Sequence, residues 1–240
     1  MQEMLMAELS GLIDELVAAN HILYDRGVVD GFGHVSVRHP DHPEQFLLAR
    51  SMAPSLVGAS DILTFDLDGQ ECTGDGRTAY LERFIHSEIF RARPDVIAVV
   101  HSHSPAVVPF SVVPSVSLRP IYHMCGFLGC NTPVFEIRET SGDATDMLIR
   151  NQALGAALAA SLGANAAILM RGHGSTCVGA TLRQAVYRAV YLEMNARLQN
   201  DAMRLGPVVF LSEAEAAAAA ATNDAQINRA YDLWLSQCRP

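Results

Sequence analysis

The stretch Val96-Ile97-Ala98-Val99-Val100-His101-Ser102-His103-Ser104 decides how the rest of this chain is read. Its apolar run predicts a buried β-strand, and Pro94-Asp95 before it predicts the end of a preceding helix. On a strand, residues i and i+2 face the same side, so His101 and His103 converge at its end and are placed to share one ion. Buried histidines more commonly serve as hydrogen-bonded core residues, so the pair gains meaning only from its surroundings.

Working outward, Thr78 to Ala92 predicts a helix running into this strand. Glu82 and His86, four residues apart, would share a face of it. Further on, the strand Ala166–Arg171 is followed by Gly172-His173-Gly174, where flanking glycines permit a tight turn that sets an imidazole at the sheet edge. Alone, either feature reads as an exposed helix pair or an ordinary glycine turn. With His101 and His103, a third imidazole from His173 completes a three-nitrogen site with open positions, and Glu82 could be a fourth ligand or a general acid/base.

The remaining elements alternate. A helix is expected over residues 3–26, strands at His34–Arg38, Gln45–Ser51 and Asp61–Gly69, and helices near 105–112 and 142–162. Residues 115–136 read as irregular with three short strand candidates. A strand Ser175–Gly179, a long helix 182–204 and an alanine-rich helix over about 212–237 complete the chain. The expected fold is therefore one α/β domain spanning 1–240, a three-layer α/β/α sandwich around a mixed or antiparallel sheet. Turns too short for helical crossovers favour the antiparallel pairings.

Composition bounds the function. The 240 residues carry a net charge of −9 and are 50% hydrophobic, which argues for a globular chain and against nucleic-acid or anionic-membrane partners. No apolar run approaches the length of a membrane span. The first residues lack the basic start of a signal peptide, and the five cysteines are odd in number with no CxxC, so a reducing cytoplasm is expected. All 17 basic residues are arginine. Without lysine there is no Schiff-base aldolase, no pyridoxal-phosphate chemistry and no Walker-type phosphate loop. Carbanion stabilisation, if it occurs, falls to a metal.

Taken in order, a helix with Glu82 and His86, Arg93-Pro94-Asp95 before Val100-His101-Ser102-His103, and a glycine turn bearing His173 resemble the class II aldolase/adducin family over roughly residues 5–205. The resemblance implies an α/β/α sandwich, a homotetramer with active sites between subunits, and a divalent metal, zinc or manganese, held by His101, His103 and His173. Glu82 matches the family's catalytic glutamate, which also ligates metal in the absence of substrate. A neighbour's C-terminal helix would contribute to the site, with Tyr231 a candidate.

The sequence departs from the family's sugar-phosphate members where they hold phosphate. A Gly-Asn turn, a hydroxyl-rich loop and a Ser-Ser pair are replaced by Gly33-His34, Ser51-Met52-Ala53-Pro54-Ser55 and Tyr80-Leu81. The family's proton-donating tyrosine falls on His123. His34, Arg50, Ser51, Tyr80 and Tyr122 would suit a small-molecule carboxylate, with Arg50 bidentate, and Tyr80, Leu81 and Phe127 a flat ring. Arg50 could equally pair with a surface acid, and Tyr80 could cap the helix. The chain looks more similar to the family's metal-dependent decarboxylases of ortho-hydroxylated aromatic dicarboxylates, such as the dihydroxyphthalate and hydroxymethylpyridine-dicarboxylate enzymes. That implies a carboxy-lyase with Glu82 or His123 as proton donor. The alternatives are a retro-aldolase acting on a non-phosphorylated hydroxy-keto acid and a non-catalytic adducin-like module. His21, His39 and His42 are expected on the surface; the cysteines are expected in packing, with Cys125 near the pocket.

Overall fold

Seven strands form one sheet in the computed structural model, which describes residues 2–74 and 76–238; Met1, Asp75, Arg239 and Pro240 lie outside the described residues. The strands are β1 (His34–Arg38), β2 (Gln45–Ala49), β3 (Ile62–Asp66), β4 (Ala98–Ser102), β5 (Val134–Phe135), β6 (Ala167–Met170) and β7 (Gly174–Gly179). Their spatial order is β3-β2-β1-β4-β7-β6-β5. Every neighbouring pair is antiparallel except β5 with β6, so the sheet is mixed.

The helices are α1 (Gln2–Asp25), α2 (Arg83–Ala92), α3 (Val108–Val112), α4 (Arg138–Ser141), α5 (Gln152–Leu162), α6 (Leu182–Leu205), α7 (Glu213–Asp224) and α8 (Ile227–Cys238). Strand alternation divides the apolar residues between two cores. Val35, Val37, Ala98 and Val100 face α1, α6 and α8. Phe46, Leu48, Phe65 and Val99 face α2 and α5. This is the three-layer sandwich expected from the sequence. Fully buried side chains such as Phe46, Phe65 and Leu48 each contribute about 1.5–3 kcal/mol by leaving water.

Several boundaries differ from expectation. The helix predicted from residue 78 begins at Arg83, with Glu82 at its N-cap, so Glu82 and His86 are not two members of one regular helix face. The helix predicted over 142–162 begins only at Gln152, where the Asn151 side chain accepts from the Leu154 amide and closes the first turn. The nine residues before it are irregular.

Among the strand candidates of 115–136, only Val134–Phe135 pairs. Side-chain amides of α6 take four backbone groups of the rest. Gln199 and Asn195 bond Ser117 O, Arg119 N and O, and Ile121 N at 2.8–3.1 Å.

The C-terminal segment is two helices. Ser212 and Glu215 form a capping box at the start of α7, which packs on the 3-10 turn His123–Leu128. Helix α8 lies on α1 and α6 of its own chain, and Tyr231 is fully buried there beneath Arg183. That burial removes Tyr231 as a residue offered to a neighbour's site. His39 is buried rather than on the surface, and Cys72 and Cys130 are exposed rather than packed. Among the described residues no helix is long and apolar enough to cross a membrane.

Candidate metal centre

The antiparallel register sets His101 at the end of β4 opposite His34 at the start of β1, and opposite Thr176 in β7. Two glycines make the approach possible. Gly33 sits at φ +94, where a Cβ would also lie 2.6 Å from Val29 Cγ1. At Gly174 a Cβ would fall 2.0 Å from the Ser102 carbonyl oxygen, so a larger residue would force β7 away from β4.

At this end of the sheet Glu82, His101, His103 and His173 bring one ligand atom each to within 4.8 Å of one another. His103 Nε2 lies 3.2 Å from His101 Nε2 and 3.0 Å from His173 Nε2. Glu82 Oε2 lies 3.7 Å from His101 Nε2 and 3.4 Å from His173 Nε2.

The other face of three of the four ligands is committed. His101 Nδ1 donates to the Ser175 carbonyl at 3.1 Å, and His173 Nδ1 donates to the Met147 carbonyl at 3.0 Å. In the neutral form both imidazoles therefore turn the lone pair of Nε2 inward, as a carbonyl partner on Nδ1 provides for a metal-ligating histidine. Glu82 Oε1 accepts from the Ile149 amide at 2.9 Å, leaving Oε2 for the cluster.

The irregular segment before α5 thus orients two ligands at once, and Met147 takes the left-handed backbone conformation, φ 70, to aim its carbonyl. A strained non-glycine residue beside a functional group has a stated purpose here.

Lone pairs facing one another at 3 Å repel unless a proton or a cation lies between them. Two nitrogens bound to one divalent ion at about 2.1 Å are separated by roughly 3.0–3.4 Å. The two separations from His103 fall in this range, and a three-imidazole, one-carboxylate donor set fits zinc or manganese. The electrostatics agree too. Burial would raise Glu82, but contact with His173 and the nearby His101 hold it at about 2, so it is an anion. Burial lowers His101 and His103, keeping them neutral and able to ligate. For His173 burial works downward, and contact with Glu82 outweighs it and raises the value.

Two members of the cluster, Glu82 and His103, line a cavity of about 560 Å³. His34, Ser51, Tyr80, Leu81, Glu82 and His103 line it, all expected from the sequence. Phe32, Met52 and Leu148, which sequence reading missed, add to its apolar wall. Phe32 follows a glycine turn and Leu148 was assigned to a helix interior, so neither carried a signal of its own. Tyr80 does not cap the helix; its hydroxyl donates to the Met52 carbonyl, and its ring lies 4.6 Å from that of His34.

Four expected residues stand elsewhere. Arg50 Nε donates to Asp61 at 2.8 Å and the guanidinium does not line the cavity. Tyr122 packs toward Tyr191, with its hydroxyl buried and unpartnered. His123 is exposed, its carbonyl accepting from Asn223. Phe127 packs against Tyr187 and Arg188 at the far side of the chain. Cys125, too, is absent from the cavity; its thiol donates to the Tyr191 carbonyl.

The chain is similar to known proteins over most of its length. Residues 14–200 match the Class II Aldolase and Adducin N-terminal domain. The chain is 36% identical to Decarboxylase tropJ of Talaromyces stipitatus over 92% of this chain and 91% of that protein. It is 33% identical to the 3,4-dihydroxyphthalate decarboxylase of Arthrobacter keyseri over 79% of this chain and 77% of that one. Among solved structures, L-fuculose 1-phosphate aldolase from Glaciozyma antarctica superposes with a TM-score of 0.74 at 29% identity, over 90% of this chain and 82% of that one.

Proposed function

Because the chain belongs to the class II aldolase and adducin family, we propose that it is a divalent-metal-dependent carbon–carbon lyase that decarboxylates an ortho-hydroxylated aromatic or pyridine carboxylic acid. The observation that carries this reading is the convergence of three Nε2 atoms and one carboxylate at 3.0–3.7 Å beneath an apolar-walled cavity. Relatives named as decarboxylases support it.

His101, His103, His173 and Glu82 would hold the ion. When bound, zinc or manganese supplies a Lewis acid for the hydroxyl and adjacent carboxylate oxygens of the substrate. The chain's own residues do the rest. Phe32, Leu81 and Leu148 take the ring and exclude water from its face. Glu82, an anion, accepts the substrate's hydroxyl proton and returns it to the ring carbon that bears the carboxylate. That C–C bond then breaks, its electron pair returns to the ring, and carbon dioxide leaves. His123 is the second candidate donor. Being exposed, it would act on the site of a neighbouring subunit, in keeping with a homotetramer whose sites lie between chains.

A second carboxylate on the substrate has no arginine partner in this cavity among the described residues, since Arg50 is bound to Asp61. His34 and Ser51 would meet it as neutral donors, or the neighbouring subunit would. The five free cysteines support a reducing, cytoplasmic setting.

The likeness to a fuculose-phosphate aldolase favours a second reading, retro-aldol cleavage of a non-phosphorylated hydroxy-keto acid. A purely adducin-like module has no need of converging imidazoles. Incubation with a panel of hydroxylated aromatic mono- and dicarboxylates, with and without chelator, tests the proposal. Chelator-sensitive carbon dioxide release supports it; aldehyde release from keto acids alone supports the aldolase reading.

A further inference from the structure

His86 takes no part in the metal cluster, yet it is fully buried on α2 and makes two short polar contacts. Its Nδ1 lies 2.6 Å from the Ser36 hydroxyl, and its Nε2 lies 2.6 Å from His34 Nδ1. Ser36 is also fully buried, and His86 is its one side-chain partner among the described residues. His34 is the member of this chain that reaches the cavity. Its remaining nitrogen, Nε2, makes no hydrogen bond to the protein among the described residues, and the residue lines that space.

Counting protons orders the chain. Were His86 to donate from Nδ1 to Ser36, the serine's own proton would be left without an acceptor, away from water. With Ser36 donating to His86 Nδ1, the His86 proton lies on Nε2 and donates to His34 Nδ1. The His34 proton then lies on Nε2. Every buried proton has an acceptor in this order alone.

We propose that Ser36 and His86 are positioning residues whose hydrogen-bond chain, Ser36 to His86 to His34, fixes His34 as a neutral donor with its Nε2–H facing the cavity. The site is thereby fitted to an oxygen acceptor of the substrate, a carboxylate or phenolate, beside the metal cluster. This deepens the proposed function and rests on its hydroxy-acid substrate class.

Two further observations support the order. The His34 ring is held between Tyr80 and His101, at 4.6 and 5.0 Å, so its plane is set. Each ring accepts at its Nδ1 in this order, so both are uncharged. No arginine lines the cavity among the described residues, so its side-chain donors to a bound oxygen are neutral ones, His34 and Ser51 among them. A neutral, oriented N–H stabilises charge on such an oxygen without reorganising.

The test uses the zinc-loaded protein with ¹⁵N-labelled histidine. Long-range ¹H–¹⁵N correlation is expected to show His34 and His86 both protonated on Nε2; a His34 proton on Nδ1 overturns the proposal. Salicylate, as the probe, is then titrated by calorimetry. His86→Leu is expected to weaken salicylate about tenfold at unchanged zinc content, and His86→Gln, which keeps an N–H near that position, to recover to within about threefold. Unchanged affinity in His86→Leu overturns the positioning role, and failure of the wild-type protein to bind salicylate overturns the ligand class. Should His86→Leu not fold, Ser36→Ala carries the test, with a loss of about threefold expected and no loss overturning it. None of these readouts needs turnover. An absence of decarboxylation with all of them intact therefore counts against the reaction and not against the chain of donors.

Discussion

The Nε2 atoms of His103 and His173, 70 residues apart in sequence, stand 3.0 Å from each other. A shared cation removes the repulsion that this spacing otherwise costs. His101→Ala or His173→Ala should therefore lower bound metal from about one ion per chain to well below half, and turnover by at least about a thousandfold. Metal analysis with kinetics on the same preparation checks this. A variant that works at full rate without metal would place the chemistry elsewhere.

Glu82→Gln keeps an oxygen to accept the Ile149 amide and should fold normally. It loses the anion that takes and returns the proton, so kcat should fall about 10²–10⁴-fold while the three histidines retain metal. Measuring kcat at matched metal content decides it; an unaltered kcat would shift the proton donor to His123.

Arg50→Ala should leave KM for an aromatic acid within about threefold, and cost no more than about 1 kcal/mol of stability, because its partner is Asp61 in a partly exposed pair. Steady-state kinetics and a denaturant midpoint test both halves. A tenfold rise in KM would show that the guanidinium leaves Asp61 for the substrate.

The pH dependence of the metal-free protein follows from His86. Burial holds its folded-state value at about 3, against an ordinary 6.5, with Glu82 acting weakly in the other direction. The unfolded chain takes up this proton first as pH falls. The contribution is thus fully present above 6.5 and is lost progressively toward 3. Urea midpoints at pH 7.5, 6 and 5 in chelator should fall, and the fall in His86→Gln should be shallower by up to about 1.4 kcal/mol per pH unit. Parallel curves for the two proteins would remove His86 as the cause.

Six of the seven strands and the layers they define were legible in the sequence, because alternation and the run into His101 are local signals. So were the three imidazoles and Glu82, whose types and spacing carry their chemistry. The segment at 115–132 misled because its backbone partners are Asn195 and Gln199, buried on a distant helix. Residues 143–151 misled in a similar way. Their conformation is fixed by contacts with His173 and Glu82 rather than by their own propensity. Arg50 and Tyr122 read as pocket residues from their chemical type and from standing next to Ser51 and His123, and neither carried a local sign that Asp61 or the Tyr191 side of the core would claim it.

That Met147 and Ile149 grip two ligands from one short stretch has a thermodynamic consequence. Whatever holds the ion also holds the segment, and by reciprocity whatever loosens the segment releases the ion. Loading should shield the peptide bonds around 147–149 from a protease, and stripping the metal should make them the first to be cut. A single nick there would cost the protein its cation with every ligand side chain still in place.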